Sequence, residues 1–191
     1  MRQRLHVITV STRPGRVGDK VAQWFCEAAA SDETFEIVPV DLNDFDLPVY
    51  DEPKHPATGE YAHEHTRAWA KSVSEADAYV FVMPEYNFTM PPSLVNALNY
   101  VYREWNYKPA GIVSYGGVSG GLRAAQSAKL LLTTLKVMPM YEAVVVPFVH
   151  NQIKDGRFTP NETQEKAVPA LLRELGIWST ALKGARDRIK G

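Results

Sequence analysis

Hydrophobic residues follow two alternating rhythms along the chain. Short continuous apolar runs occur at Leu5–Val10, Ala78–Met83, Ala110–Tyr115 and Tyr141–Val146. They have strand length, and their lack of polar alternation suits strands covered on both faces. Glu36–Leu42 reads as a further strand, but Pro39 assigns it to a sheet edge or a strand end. Between the runs, apolar residues return every three or four positions, which predicts helices. The first helix begins near Asp19 and places Val17, Val21, Trp24, Phe25 and Ala28 on one face. The second carries Ala62, Trp69, Val73 and Ala76, and the third carries Leu94, Ala97, Leu98 and Val101. Pro91 and Pro92 fall near the third helix's start, where proline is tolerated. Ala128, Leu131, Leu132 and Leu135 mark the fourth helix, and Val168, Leu171, Leu172 and Leu175 the last.

Five strands alternating with five helices specify an α/β fold, a parallel sheet joined by right-handed crossovers. Ligands of such sheets sit beyond the carboxyl ends of the strands, where the strand order switches. Residues 43–61 hold Pro48, Pro53, Pro56 and Gly59 and read as an irregular loop. A small hairpin is expected around Asp155-Gly156. No repeat, low-complexity tract or linker divides the chain, so residues 1–191 form a single domain.

Composition narrows the function classes. The chain has 191 residues, 45% of them hydrophobic, enough for one sizeable core. Twenty-one basic against 22 acidic residues leave a net charge of -1. That balance argues against a nucleic-acid binder and against an acidic docking protein. No apolar run approaches the ~18–20 residues of a membrane span, and the start of the chain does not read as a signal peptide. No membrane association is expected, and the expected compartment is the cytoplasm. Cys26 is the only cysteine and reads as a packing residue. His55, His63 and His65 read as solvated surface, and no metal site is expected. The basic tail from Lys183 to Lys190 reads as a solvated helix end. Tyr100, Tyr102, Trp105 and Tyr107 form an aromatic cluster that reads as a subunit interface in preference to the alternative, a cap on the local core.

The chemistry lies in the loops after the first, third and fourth strands. Ser11-Thr12-Arg13-Pro14-Gly15-Arg16-Val17-Gly18 joins a strand to a helix, where free backbone N–H groups converge. Two hydroxyls, two guanidiniums and two glycines in eight positions suit a phosphate cradle. The Gly-Lys-Ser/Thr ending of a nucleoside-triphosphatase loop is absent, and so is the full dinucleotide glycine pattern. The ligand is therefore a monophosphate ester held without a motif-defined magnesium site. Pro84-Glu85-Tyr86-Asn87 offers amides and a flat phenol. Ser114-Tyr115-Gly116-Gly117 opens a glycine-rich run with little side-chain bulk. Together they match a planar heterocycle, with Tyr86 against its face and loop amides at its edge. A heterocycle joined to a monophosphate by a polyol-length spacer describes flavin mononucleotide, FMN.

These three loops resemble those of the NAD(P)H-dependent FMN reductase family, which includes azo-, quinone- and chromate-reducing flavoenzymes. Thr12–Gly18 resembles its phosphate loop, Pro84-Glu85-Tyr86-Asn87 its P-E-Y-N motif, and Ser114-Tyr115-Gly116-Gly117 its third flavin loop. The similarity runs from about Leu5 to Leu182. The resemblance implies a flavodoxin-like three-layer sandwich with strand order 2-1-3-4-5 and helices on both faces. It implies that Ser11, Arg13, Arg16, Val17 and Gly18 surround the FMN phosphate. Pro84, Glu85, Tyr86 and Asn87 then border the ring, and Ser114, Tyr115, Gly116 and Gly117 close its other side. NADPH or NADH is the implied electron donor, a small molecule the acceptor, and a homodimer or homotetramer the assembly. One departure is Val10, where the family usually has glycine; its Cβ is expected to crowd the turn at Ser11. The flavin carries the difficult chemistry, so no catalytic side chain is named. Asn87 is the candidate for an N–H near the ring's reactive nitrogen. Two other readings remain: a flavodoxin-like electron carrier that docks to protein partners, and a nucleotide-sensing or scaffold protein without turnover. Small carriers of the first kind are usually strongly acidic, unlike this chain.

Overall fold

The computed structural model describes residues 2–190. Five strands, β1 (Gln3–Thr9), β2 (Phe35–Asp41), β3 (Ala78–Pro84), β4 (Pro109–Tyr115) and β5 (Met138–Val146), form one parallel sheet in the order β2-β1-β3-β4-β5. The helices are α1 (Gly18–Ala29), α2 (Glu64–Glu75), α3 (Pro92–Tyr100), α4 (Leu122–Thr134) and α5 (Glu162–Lys190). One face of the sheet packs on α1 and α5 through Val21, Phe25, Leu171 and Leu175. The other packs on α2, α3 and α4 through Trp69, Leu98, Ala128 and Leu132. This is the expected three-layer sandwich with the expected strand order.

Burial follows the hydrophobic rhythm. Every residue of the inner strands β3 and β4 is buried. β2 lies at the sheet edge with its pattern only partly buried, and Pro39 there pairs with Val7 on β1. A proline that lacks an N–H is tolerated where one side of the strand has no neighbour. On α1, Ala29 rather than the expected Ala28 faces inward; Ala28 is exposed. The expected hairpin is present as β6 (Ile153–Lys154) and β7 (Arg157–Phe158), with Asp155 and Gly156 both at positive φ.

Four expectations are corrected. Tyr100 and Trp105 are not on a subunit surface; both are fully buried in this chain's own core. Trp105 packs edge-on to Trp69 and Tyr79, at 5.7 and 4.9 Å between ring centroids. Tyr102 and Tyr107 are only half-buried. Residues 43–61 are not a slack loop. Short 3-10 turns at Leu42–Phe45 and Pro56–Thr58 punctuate them. Asn96 and Tyr100 hold the carbonyl of Pro48 at 2.6 and 3.0 Å, and the buried Glu52 accepts from the N–H groups of Ala62 and His63. His65 is half-buried, stacked on His63 and 3.1 Å from Asp51, so the histidines are not all free surface. Finally, the basic tail is not simply solvated: Arg186 donates to Asp77 and to the carbonyl of Tyr107. Burial pushes the Cys26 thiol up to about 11, with the Glu27 charge adding to it, as befits a packing residue.

Candidate functional site

β1, β3, β4 and β5 each end in a loop, and the four loops enclose one cleft of about 410 Å³. Ser11, Arg13, Gly15, Arg16 and Val17 line it after β1, and Pro84, Glu85 and Tyr86 after β3. Tyr115, Gly116 and Gly117 line it after β4, and residues 148–151 after β5.

At the start of the first loop Val10 is fully buried in the core. Its N–H donates to the Val82 carbonyl (3.0 Å), and its own carbonyl accepts from the Ser93 hydroxyl (2.8 Å). Ser11 is therefore held in place, with its Oγ 2.9 Å from the Tyr86 hydroxyl. The two arginines divide their work. The Arg16 guanidinium is committed, donating to the Ser11 carbonyl (2.7 Å) and paired with Asp41 at the end of β2. The Arg13 guanidinium is exposed and has no partner among the described residues. Among the described residues no side chain caps α1 at Val17, and while the N–H groups of Lys20 and Val21 donate to the Val17 carbonyl, those of Gly18 and Asp19 are open. An open helix N-terminus beside an uncommitted guanidinium is a site for an anion.

The second and third loops are tied together by Glu85. Its buried carboxylate accepts from the Ser119 hydroxyl (2.9 Å), the Arg123 N–H (3.1 Å) and Arg123 Nε (2.8 Å). Burial alone raises its pKa, but the bonds from Arg123, Ser119 and the Ala124 N–H outweigh that and hold it below the usual carboxylate range. Glu85 thus caps α4 and fixes the third loop. Tyr86 and Thr89 exchange two backbone hydrogen bonds of 3.0 Å across Asn87 and Phe88, both at positive φ. This two-residue turn rigidly presents Tyr86. In the third loop Gly121 has φ +84°, and a Cβ there would lie 2.8 Å from the Tyr115 nitrogen. Only glycine turns the chain there. Gly116 and Gly117 present bare backbone to the cleft, and their carbonyls accept from Val149 and Phe148 (3.1 and 2.9 Å). A flat ring with a phosphate tail fits this arrangement: bare backbone and a phenol beside the ring, an open helix end for the phosphate.

A model of the NADPH-dependent FMN reductase family matches residues 3–151. The chain is also 35% identical over 188 residues to the NAD(P)H-dependent FMN reductase C4B3.06c of Schizosaccharomyces pombe, covering 97% of this chain and 93% of that protein. The chain belongs to the NADPH-dependent FMN reductase family. Its similarity extends to a quinone reductase of Escherichia coli K12, 31% identical over 149 residues, 73% of this chain and 76% of that protein. Among solved structures, the flavoenzyme FerB of Paracoccus denitrificans superposes with a TM-score of 0.73 at 23% identity, over 94% of this chain and 98% of that one. An azoreductase from Bacillus anthracis gives 0.54 at 17% identity, over 94% and 99%. These two establish a shared fold. FMN is the flavin of the family.

Three of the expected residues do not line this cleft. Gly18 lies beneath it, covered by the Tyr115 hydroxyl. Asn87 is exposed at the turn tip, and Ser114 is fully buried with no partner for its hydroxyl among the described residues. Sequence reasoning missed Gly15 and the whole fourth loop, Phe148, Val149, His150 and Asn151. No motif marks that loop. Its one signal was position, since it follows a parallel strand's carboxyl end. Its shape depends on Phe148 adopting φ +47°, rare for a bulky residue, as the N–H groups of Phe148 and Val149 donate to the Gly117 and Gly116 carbonyls.

Proposed function

We propose that this protein is a flavin-dependent oxidoreductase. It takes electrons from NADPH or NADH and passes them through FMN to a small acceptor: a quinone, an azo compound, free flavin or a metal oxyanion. The convergence of the uncommitted Arg13 and the open end of α1 with the bare Gly116-Gly117 backbone on one cleft supports this reading best. Bound FMN would supply the hydride and electron-transfer chemistry that links the nicotinamide to the acceptor. The chain binds and orients. Ser11, Arg13 and the first turn of α1 hold the phosphate, with Arg16 fixing the loop from behind. Pro84, Glu85, Tyr86, Tyr115, Gly116 and Gly117 border the ring. Val17, within the phosphate loop, packs that loop onto the core, and Gly18, Asn87 and Ser114 act through the loops they shape. No side chain acts as general acid or base.

The protein works in the cytoplasm as a homodimer or homotetramer. Phe88, Val118, Leu122 and Leu130, on α4 and the loops before and beside it, are 69%, 76%, 46% and 74% exposed. Apolar exposure of this extent supports an interface on that side of the molecule. Light scattering that returns a monomer would remove this part of the proposal. For the activity, the purified protein is assayed for NADPH and NADH oxidation with a quinone and an azo dye. Turnover with both FMN and an acceptor present is expected. A flavin-bound protein that oxidises neither donor would instead be a carrier.

A further inference from the structure

We propose that the groove beside the FMN cleft seats the adenosine half of the nicotinamide donor and favours NADH over NADPH. The inference rests on the FMN reading above. Small-molecule sites span roughly 300–1,000 Å³, and the cleft, at about 410 Å³, has the size for one such ligand. Most of a dinucleotide donor must then lie elsewhere. A second cavity of about 1030 Å³ runs along the other side of the same ridge of loops. Thr12 lines this groove, while its neighbours Ser11 and Arg13 line the cleft. Thr89 lines it too, while Tyr86, its partner across the turn, lines the cleft. A donor lying across this ridge reaches both cavities.

The groove's chemistry suits a nucleoside. Leu47, Val49, Met90 and Val95 give apolar surface, and the Tyr50 ring a flat face. Asn43 and Asn99 are exposed there with amides to offer a base edge. Its charge separates the two donors. None of the lining residues is Lys, Arg or His, and Asp46 is the only carboxylate. Asp46 ends the 3-10 turn at φ +45°, exposed and without a partner among the described residues. A carboxylate accepts a hydrogen bond from a ribose 2′-hydroxyl, whereas a 2′-phosphate needs an arginine or lysine. In this groove the 2′-phosphate of NADPH meets a negative charge and no cation.

Calorimetric titration of the FMN-loaded protein with ADP-ribose and with its 2′-phosphorylated form tests this. The phosphorylated form should bind at least tenfold more weakly. Tyr50→Ala should weaken ADP-ribose severalfold at unchanged FMN affinity. Asn99→Lys, at an exposed helical position, should shift the ratio about tenfold toward the phosphorylated ligand, and kcat/KM for NADPH over NADH should move with it. Equal or tighter binding of the phosphorylated form to the unmodified protein overturns the inference. So does absence of ADP-ribose binding, the result expected if a second copy of the chain covers the groove, or indifference to both substitutions. Failure of the protein to bind FMN at all would sink the earlier reading instead.

Discussion

Gly18→Ala is expected to destabilise the protein, against the ordinary trend. In an unhindered helical position alanine gains up to ~1 kcal/mol over glycine. At Gly18, however, a methyl group runs into the Tyr115 hydroxyl and lies 3.1 Å from the ring carbon that bears it. The ring cannot swing away cheaply, because Tyr115 is only 4% exposed. Overpacking of this kind costs about 1–3 kcal/mol, so a net loss of ~1–2 kcal/mol is expected after the helical gain is set against it. For a chain of this size each kcal/mol lowers Tm by roughly 2–4 °C. FMN affinity should fall too, because the displaced ring and Ser11 border the cleft. Tyr115→Phe removes the colliding oxygen, so the double variant should recover part of the loss, with a coupling of about 1 kcal/mol in a double-mutant cycle. Urea denaturation followed by circular dichroism, with FMN titration of the same four proteins, measures both quantities. A Gly18→Ala protein as stable as the parent, or more so, would refute the close packing of α1 against Tyr115.

Burial, reinforced by the charges of Arg4 and Lys108, pushes His6 down to about 4, and its Nε2 has no hydrogen-bond partner among the described residues. The unfolded chain therefore takes up a proton first as pH falls: stability declines below pH 6.5 and the loss is complete below about 4, reaching about 3 kcal/mol. His6→Gln should flatten unfolding free energies measured across that window. Glu85→Ala removes the cap of α4 and the partner of the half-exposed Arg123, and should cost about 1.5–3 kcal/mol by urea melts. A loss of FMN affinity should accompany it. Trp105→Ala should cost about 3–5 kcal/mol, as for a fully buried indole. Light scattering should find its assembly state unchanged, because the ring faces the chain's own core.

The inner strands were legible because β3 and β4 are buried on both faces and so read as unbroken apolar runs, whereas the strand order followed only from the resemblance of the three loops to the reductase family. β2 was equally legible from Pro39, which only an edge accepts. The first three loops showed themselves through residue types that phosphate and backbone chemistry demand. Two things were hidden. Whether an aromatic cluster faces inward depends on what lies over it, and nothing local to Tyr100 and Trp105 reveals Trp69 and Tyr79 across the layer. Which arginine is free depends on a partner 25 residues away: Asp41 takes Arg16 and leaves Arg13. Likewise Phe148 gives no sign in sequence of the backbone bonds that bend it into the cleft wall.

The central claim is that one cleft, with Arg13 and the open end of α1 at one side, holds a phosphorylated flavin. Fluorescence titration of the flavin-free protein with FMN and with riboflavin tests it most directly. A charge-assisted hydrogen bond contributes about 1.5–3 kcal/mol, so FMN should bind at least about tenfold tighter than riboflavin, and Arg13→Ala should remove most of that difference. Equal affinities for the two flavins, or a preference for FMN that survives Arg13→Ala intact, would contradict it.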